Sequence, residues 1–268
     1  MDSMPGASVA DGTKKMFFTW NDRRIHFVDQ GSGPALLFLH GLGGNADNWL
    51  NQRRVFKRTR RVLSLDFPGH GLSEGRDVEF RSYWHVIEGL LEHVGLSSTA
   101  ICGLSKGARA GLALAARRPM RVDRIIVVNA FMHLAPGDEA TRLALYDILA
   151  QKDGARSWAK QLLDSMGVAS RPAIVRGFLK SLDAIDPEHI RSIFRELIAY
   201  DQRPELKDVS CPTLLIRGEE DGFVPSYCVE ELHCGLTNSQ VVRLPACGHL
   251  PYLEDPTGFN TLVSDFVA

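Results

Sequence analysis

Cys102-Gly103-Leu104-Ser105-Lys106-Gly107 fits the pattern G-x-S-x-G. It stands between an apolar run, 99–104, and a segment rich in small residues, 106–117. The first reads as a buried strand and the second as a helix, ended by Pro119. A serine on a tight strand-to-helix turn is lifted above the sheet, with the positive end of the helix aimed at it. Glycines on both sides are required because any side chain there would strike neighbouring backbone. Ser105 is therefore the candidate nucleophile.

Outward from this turn, strands and helices alternate. Strands are expected at 16–20 and 25–30, around a hairpin turn Asn21-Asp22-Arg23-Arg24, and at 35–39, 61–66 and 124–129. Helices are expected at 46–57 and 83–94. After residue 204 the alternation resumes, with strands at 213–218 and 240–244, a helix at 227–236 and a last helix opened by Asp255-Pro256. Such alternation predicts a parallel sheet built from βαβ units. Between about 134 and 200 only helix-like pieces occur. Asp138 is expected to cap one of them, and Asp186-Pro187 reads as N-cap and first turn of another. The expected organisation is a disordered segment at 1–15, a core domain at 16–133 and 204–268, and a helical cap at 134–203.

A serine hydroxyl needs a base. His249 follows Pro245-Ala246-Cys247-Gly248, just past the last strand, at the sheet edge where open α/β sheets bind ligands. Its imidazole needs an acceptor on the other ring nitrogen. Asp221, in Gly218-Glu219-Glu220-Asp221-Gly222, is preferred over Glu219 and Glu220. Asn129 ends the strand before the helical stretch and offers no acid. Two oxyanion donors are expected: the backbone N–H of Lys106 and that of Leu42, with Gly43 as second choice. The Lys106 side chain is expected to face solvent. His40, Gly41, Gly43, Phe131, His133, Trp158, Phe178, Phe223 and Leu250 are candidate pocket residues. Arginines at 156, 171, 176, 191 and 195 read mostly as solvated helix faces, with one free to pair a substrate carboxylate.

Five motifs stand in one order: His40-Gly41-Leu42-Gly43-Gly44, Asp66-Phe67-Pro68-Gly69-His70-Gly71-Leu72-Ser73, Gly103-Leu104-Ser105-Lys106-Gly107, Gly218-Glu219-Glu220-Asp221 and Gly248-His249. This series resembles the α/β-hydrolase superfamily, over nearly the whole chain. The resemblance implies an α/β fold, an eight-stranded and mostly parallel sheet flanked by helices, a helical cap insertion, and hydrolysis through an acyl-enzyme. It also implies that Asp66 and His70 are scaffold residues. The branch looks like capped, cofactor-independent esterases, enol-lactonases and carbon–carbon bond hydrolases. The last typically carry Gly-Asn-Ser-Met-Gly and an aromatic residue after the histidine. Leu104 and Leu250 depart from that, so a carboxylic ester or lactone of a small, largely apolar substrate is the expected target.

Composition sets outer limits. The chain has 268 residues, 44% hydrophobic and 24% charged, and a formal net charge of −1. That balance implies no attraction to nucleic acid or anionic membrane. The basic run at 53–61 reads as a solvated helix end and loop. The cysteine count, five, is odd and holds no C-x-x-C pair, which points to a reducing, cytoplasmic setting. No secretory signal and no bilayer-length apolar run is present. No histidine cluster suits a metal, and no cofactor is expected. Gly41-Leu42-Gly43-Gly44-Asn45-Ala46 with Asp66 also matches a dinucleotide fingerprint, but that reading leaves Ser105, Asp221 and His249 without a role. The expected partner is a small-molecule ester or lactone, with neither nucleic acid nor membrane; acyl transfer, a non-enzymatic binding role and a homodimer remain open alternatives.

Overall fold

The computed structural model describes residues 15–182 and 185–268; the expected disordered segment at 1–15 falls, but for Lys15, outside them. Eight strands form one sheet in the order β1-β2-β4-β3-β5-β6-β7-β8. These are β1 (Met16–Trp20), β2 (Arg23–Gln30), β3 (Ala35–Leu39), β4 (Arg61–Leu65), β5 (Thr99–Leu104), β6 (Val122–Val128), β7 (Thr213–Gly218) and β8 (Ser239–Leu244). β2 pairs antiparallel with β1 and with β4, and the remaining pairs are parallel. The first turn is tighter than expected. Asn21 and Asp22 alone make it, at φ 45° and 60°, the left-handed pair that matches the twist of a hairpin.

The chain goes from β3 outward to β4, then returns to lay β5 on the other side of β3. Open α/β sheets bind ligands beyond the strand ends at such a reversal. Here Leu39 pairs with Gly103, so the loop after β3 and the turn after β5 leave the sheet side by side. β5 is buried along its whole length, which explains its continuous apolar run.

Helices α1 (Leu50–Phe56), α2 (Tyr83–His93), α3 (Lys106–Arg117), α8 (Tyr227–Gly235), α9 (Pro251–Glu254) and α10 (Pro256–Val267) accompany the sheet. The helix expected at 46–57 is split, with a 3₁₀ turn at Ala46–Trp49 preceding α1. Between β6 and β7 lie α4 (Pro136–Asp147), α5 (Gly154–Ser165), α6 (Pro172–Ser181) and α7 (Pro187–Ala199). Asp186 caps α7 by accepting from the Glu188 and His189 amides, as its Asp-Pro sequence predicts. Asp138 caps nothing: Pro136 takes the first helical position and leaves Ala135 at the N-cap. Asp138 instead pairs with Arg142 one turn on, at 2.9 Å, and accepts from the Tyr227 hydroxyl. The basic run is also less solvated than its composition suggests. Arg53 is buried, bonding the Ala46 carbonyl and Asp47, and Arg61 pairs with Asp29.

Two glycines sit in opposite surroundings. A Cβ on Gly107 would overlap the carbonyl oxygens of Leu39 and His40, whereas a Cβ on Gly177 in α6 would meet nothing within 4 Å. Gly107→Ala is expected to destabilise the fold by about 1–3 kcal/mol through overpacking. Gly177→Ala is expected to stabilise it by about 0.5–1 kcal/mol, because alanine loses less backbone freedom in a helix. Urea unfolding midpoints of the two variants against the parent check both signs.

Candidate active site

Ser105 takes φ 49° and ψ −113° between β5 and α3. The conformation is fixed from both sides: its amide donates to the Val128 carbonyl at 2.9 Å, and its carbonyl accepts from the Arg109 amide at 3.1 Å. Gly103 is packed against the Ala108 backbone, so neither flanking glycine has room for a side chain.

The imidazole and the carboxylate meet directly. His249 Nδ1 lies 2.7 Å from Asp221 Oδ2. The carboxylate accepts, so Nδ1 carries a proton and Nε2 is the ring nitrogen turned away from Asp221. The other oxygen, Oδ1, accepts from the Phe223 and Val224 amides at 2.9 and 3.1 Å. The buried Arg217 guanidinium reaches the same group, with Nη1 3.2 Å from Oδ2 and Nη2 donating to the Asp221 carbonyl at 2.7 Å. The rival acids face outward: Glu219 pairs with Arg243 and Glu220 is exposed.

Three groups that sequence reasoning passed over hold these loops. Asn129, at φ 42°, accepts from the Gly218 amide and donates to the Gly248 carbonyl, both at 3.0 Å. It thus ties the acid loop to the histidine loop. Its position at the end of the last strand before the insertion, a residue type that tolerates left-handed backbone, was the available signal. The Glu254 carboxylate, fully buried, accepts from the Gly248 and Leu250 amides on either side of His249. Burial pushes its carboxyl above the usual range. From the insertion, the Met166 carbonyl accepts from the His249 amide at 2.8 Å.

Ser105 and His249 open on a common cavity of about 480 Å³. Gly41, Leu42, Gly43, Phe178, Phe223 and Leu250 also line it. Four of the expected pocket residues do not. His40 is wholly buried beneath the loop after β3, where Nδ1 donates to the Gly41 carbonyl at 2.7 Å and Nε2 accepts from the Phe67 amide at 3.0 Å. Burial, then the nearby Lys106, pushes its pKa down to about 3, so it is a neutral strut for that loop. Phe131 is packed in the core under the Arg109 guanidinium. His133 is drawn away with its carbonyl near the Cys228 thiol. Trp158 stands behind Phe178 and against Tyr146.

The Lys106 side chain does not face solvent. Only 1% of the residue is exposed. Its Nζ donates to His70 Nε2 at 3.1 Å and lies over the Phe67 and Tyr83 rings. α3 is enclosed from its first residue for three turns, so this helix has no solvent face at that point. His70 Nδ1 donates to the Pro68 carbonyl. Asp66 accepts from His26, Ala46 and Leu72. Its carboxylate is therefore spent inside the scaffold and is not presented to a dinucleotide ribose.

A family model described as the alpha/beta hydrolase fold matches residues 34–256. The chain belongs to that family. It is an α/β-hydrolase enzyme, and its relatives are hydrolases. A putative carbamate hydrolase RutD of Klebsiella pneumoniae (strain 342) is 28% identical, over 88% of this chain and 91% of the relative. A pimeloyl-[acyl-carrier protein] methyl ester esterase of Nitrosomonas europaea is 28% identical, over 88% and 96%. An enol-lactonase of Burkholderia xenovorans LB400 has the same fold, with a TM-score of 0.83 at 24% identity, covering 94% of this chain and 99% of that one. Among the described residues no helix is long and apolar enough to cross a membrane.

Burial holds the Lys106 pKa well below that of a free lysine. Between the folded and unfolded values the unfolded chain binds the extra proton, so stability climbs with pH across that window. Lys106→Met lacks this dependence. The stability difference, parent minus variant, is expected to grow as pH rises from about 7 to about 10. Urea melts across that range measure it, and a flat difference would mean that Lys106 stays charged in the fold.

Proposed function

We propose that the protein cleaves a carboxylic ester or lactone of a small, largely apolar substrate through an acyl-enzyme. Ser105 is the nucleophile, His249 the general base and Asp221 the acid that orients it. The observation that carries this reading is the 2.7 Å contact between His249 and Asp221, with His249 and Ser105 both lining one cavity. The geometry supports a definite sequence of transfers. Nε2 takes the Ser105 proton as Oγ attacks the carbonyl carbon. The oxyanion is met by the backbone N–H groups of Lys106 and Leu42. The imidazolium then returns its proton to the leaving alcohol oxygen. Water, deprotonated by the same nitrogen, attacks the acyl-enzyme and releases the acid.

The helices of residues 134–203 act as a cap, since Tyr146, Met166 and Phe178 lie over the cavity that holds Ser105. The ester-directed reading is supported by the likeness to the methyl ester esterase. Leu104 and Leu250 line the cavity where the carbon–carbon branch carries other residue types.

Ser105→Ala and His249→Ala are each expected to lower kcat on p-nitrophenyl butyrate by several orders of magnitude. Asp221→Asn is expected to lower it by about 10⁴-fold through the wrong imidazole tautomer. Circular dichroism confirms that each variant is folded. Full activity in Ser105→Ala would refute the assignment.

A further inference from the structure

The cavity over Ser105 has two chemically different walls. On the core side the loop after β3 and the start of α1 present Asn45, Asn48 and Asn51. On the insertion side stand Tyr146, Ile174 and Phe178. Apart from His249, no described lining residue is basic. Three arginines on adjoining elements are already engaged. Arg53 bonds Ala46 and Asp47. Arg142 donates to the Gly222 and Phe223 carbonyls and pairs with Asp138. Arg171 donates to the Ala246 carbonyl and faces Glu254. The one acidic lining residue, Asp47, has its partner in Arg53.

A carboxylate bound here would give up hydration and find no cation but His249 among the described lining residues, which is costly for an ion and not for a neutral group. Amide side chains, by contrast, offer both donors and acceptors to uncharged polar groups. Asn51 makes no side-chain hydrogen bond to another described residue, and the Asn48 Oδ1 is taken by the Asn45 amide. We infer that the site selects uncharged substrates, with an apolar part against Ile174 and Phe178 and any hydrogen-bonding part against the asparagines, and that it rejects substrates bearing a free carboxylate. The inference rests on the serine-hydrolase reading above.

A matched pair of esters tests it: p-nitrophenyl hexanoate and mono-p-nitrophenyl adipate, of equal chain length, the second ending in a carboxylate. The parent enzyme is expected to favour the hexanoate in kcat/KM by about 100-fold or more. A cation added to either wall should narrow that ratio. Gly177→Lys uses a position where a Cβ meets nothing within 4 Å, and Asn51→Lys uses an exposed side chain of the opposite wall. Either variant is expected to narrow the preference by about fivefold, the worth of a partly exposed ion pair. Parent turnover of the adipate within about threefold of the hexanoate, or no narrowing by either folded lysine variant, overturns the inference and leaves the serine mechanism intact. Failure to turn over either ester, with no labelling of Ser105 by a phosphonate, overturns the mechanism and this inference with it.

Discussion

The close approach of α3 to the ends of β3 and β5 is the constraint on which the site depends. Ser105 occupies a backbone region that a residue with a side chain adopts only at a cost of about 1–3 kcal/mol. The strain persists because its surroundings over-determine it. The Ser105 amide is held by β6, its carbonyl by the next turn of α3, and Gly107 rests on the Leu39 and His40 carbonyls. That last contact does double duty. The same carbonyls lead into the loop carrying Leu42, so the packing that supports the serine also sets its distance from that loop. His40 fixes the loop from below, with a ring kept neutral by burial. Lys106, tucked under the turn against His70, closes the underside of the same assembly.

The second half of the site depends on long-range hydrogen bonds between loops. Asp221 and His249 follow β7 and β8, and strand pairing brings Gly218 level with Leu244. Pairing alone does not orient the loops beyond. Asn129 supplies that by bonding Gly218 and Gly248 at once. Glu254 grips the amides before and after His249 from below. The third hold on the histidine comes from Met166 in the insertion, where a Cβ on Gly248 would overlap the Met166 carbonyl. The insertion is thus part of the framework that holds His249, just past the C-terminal end of α5, and not a detachable cover.

Local grammar explains what could be read from the chain. The elbow at Ser105 and the Asp186-Pro187 helix start are written in adjacent residues, because turns and caps are short-range objects. Asp138 shows the limit even there: a proline two positions earlier claims the first turn, and a good capping residue becomes an ion-pair partner. Residue type misleads where a helix has no outside. Lys106 and Arg53 are long cations that a surface reading sends to water, yet the first lies in an enclosed helix and the second on the inner face of α1, each with partners waiting. Phe131 and Trp158 fail for a related reason. An aromatic residue near a strand end or in an insertion suits a pocket or a core equally well, and only the packing of Arg109 and Phe178 against them decides. Asn129 was visible as a non-acid; its role needed the strands beside it.

The two walls of the cavity differ in how firmly they are held, and this bears on specificity. Asp221, His249 and the whole of β7 are buried. α6, which supplies Ile174, Gly177 and Phe178, has no fully buried residue, and its inner side chains pack only partly against the core. A substitution on α6 changes what the substrate meets while leaving the strained serine turn and the acid–histidine contact where they are. A substitution around Gly107 or Asn129 does the reverse. A shared fold can thus be held while its cavity wall varies, and the relatives of this chain range from a putative carbamate hydrolase to a methyl ester esterase. In this chain the wall least tied to the core is a short stretch of α6, across the cavity from the asparagines.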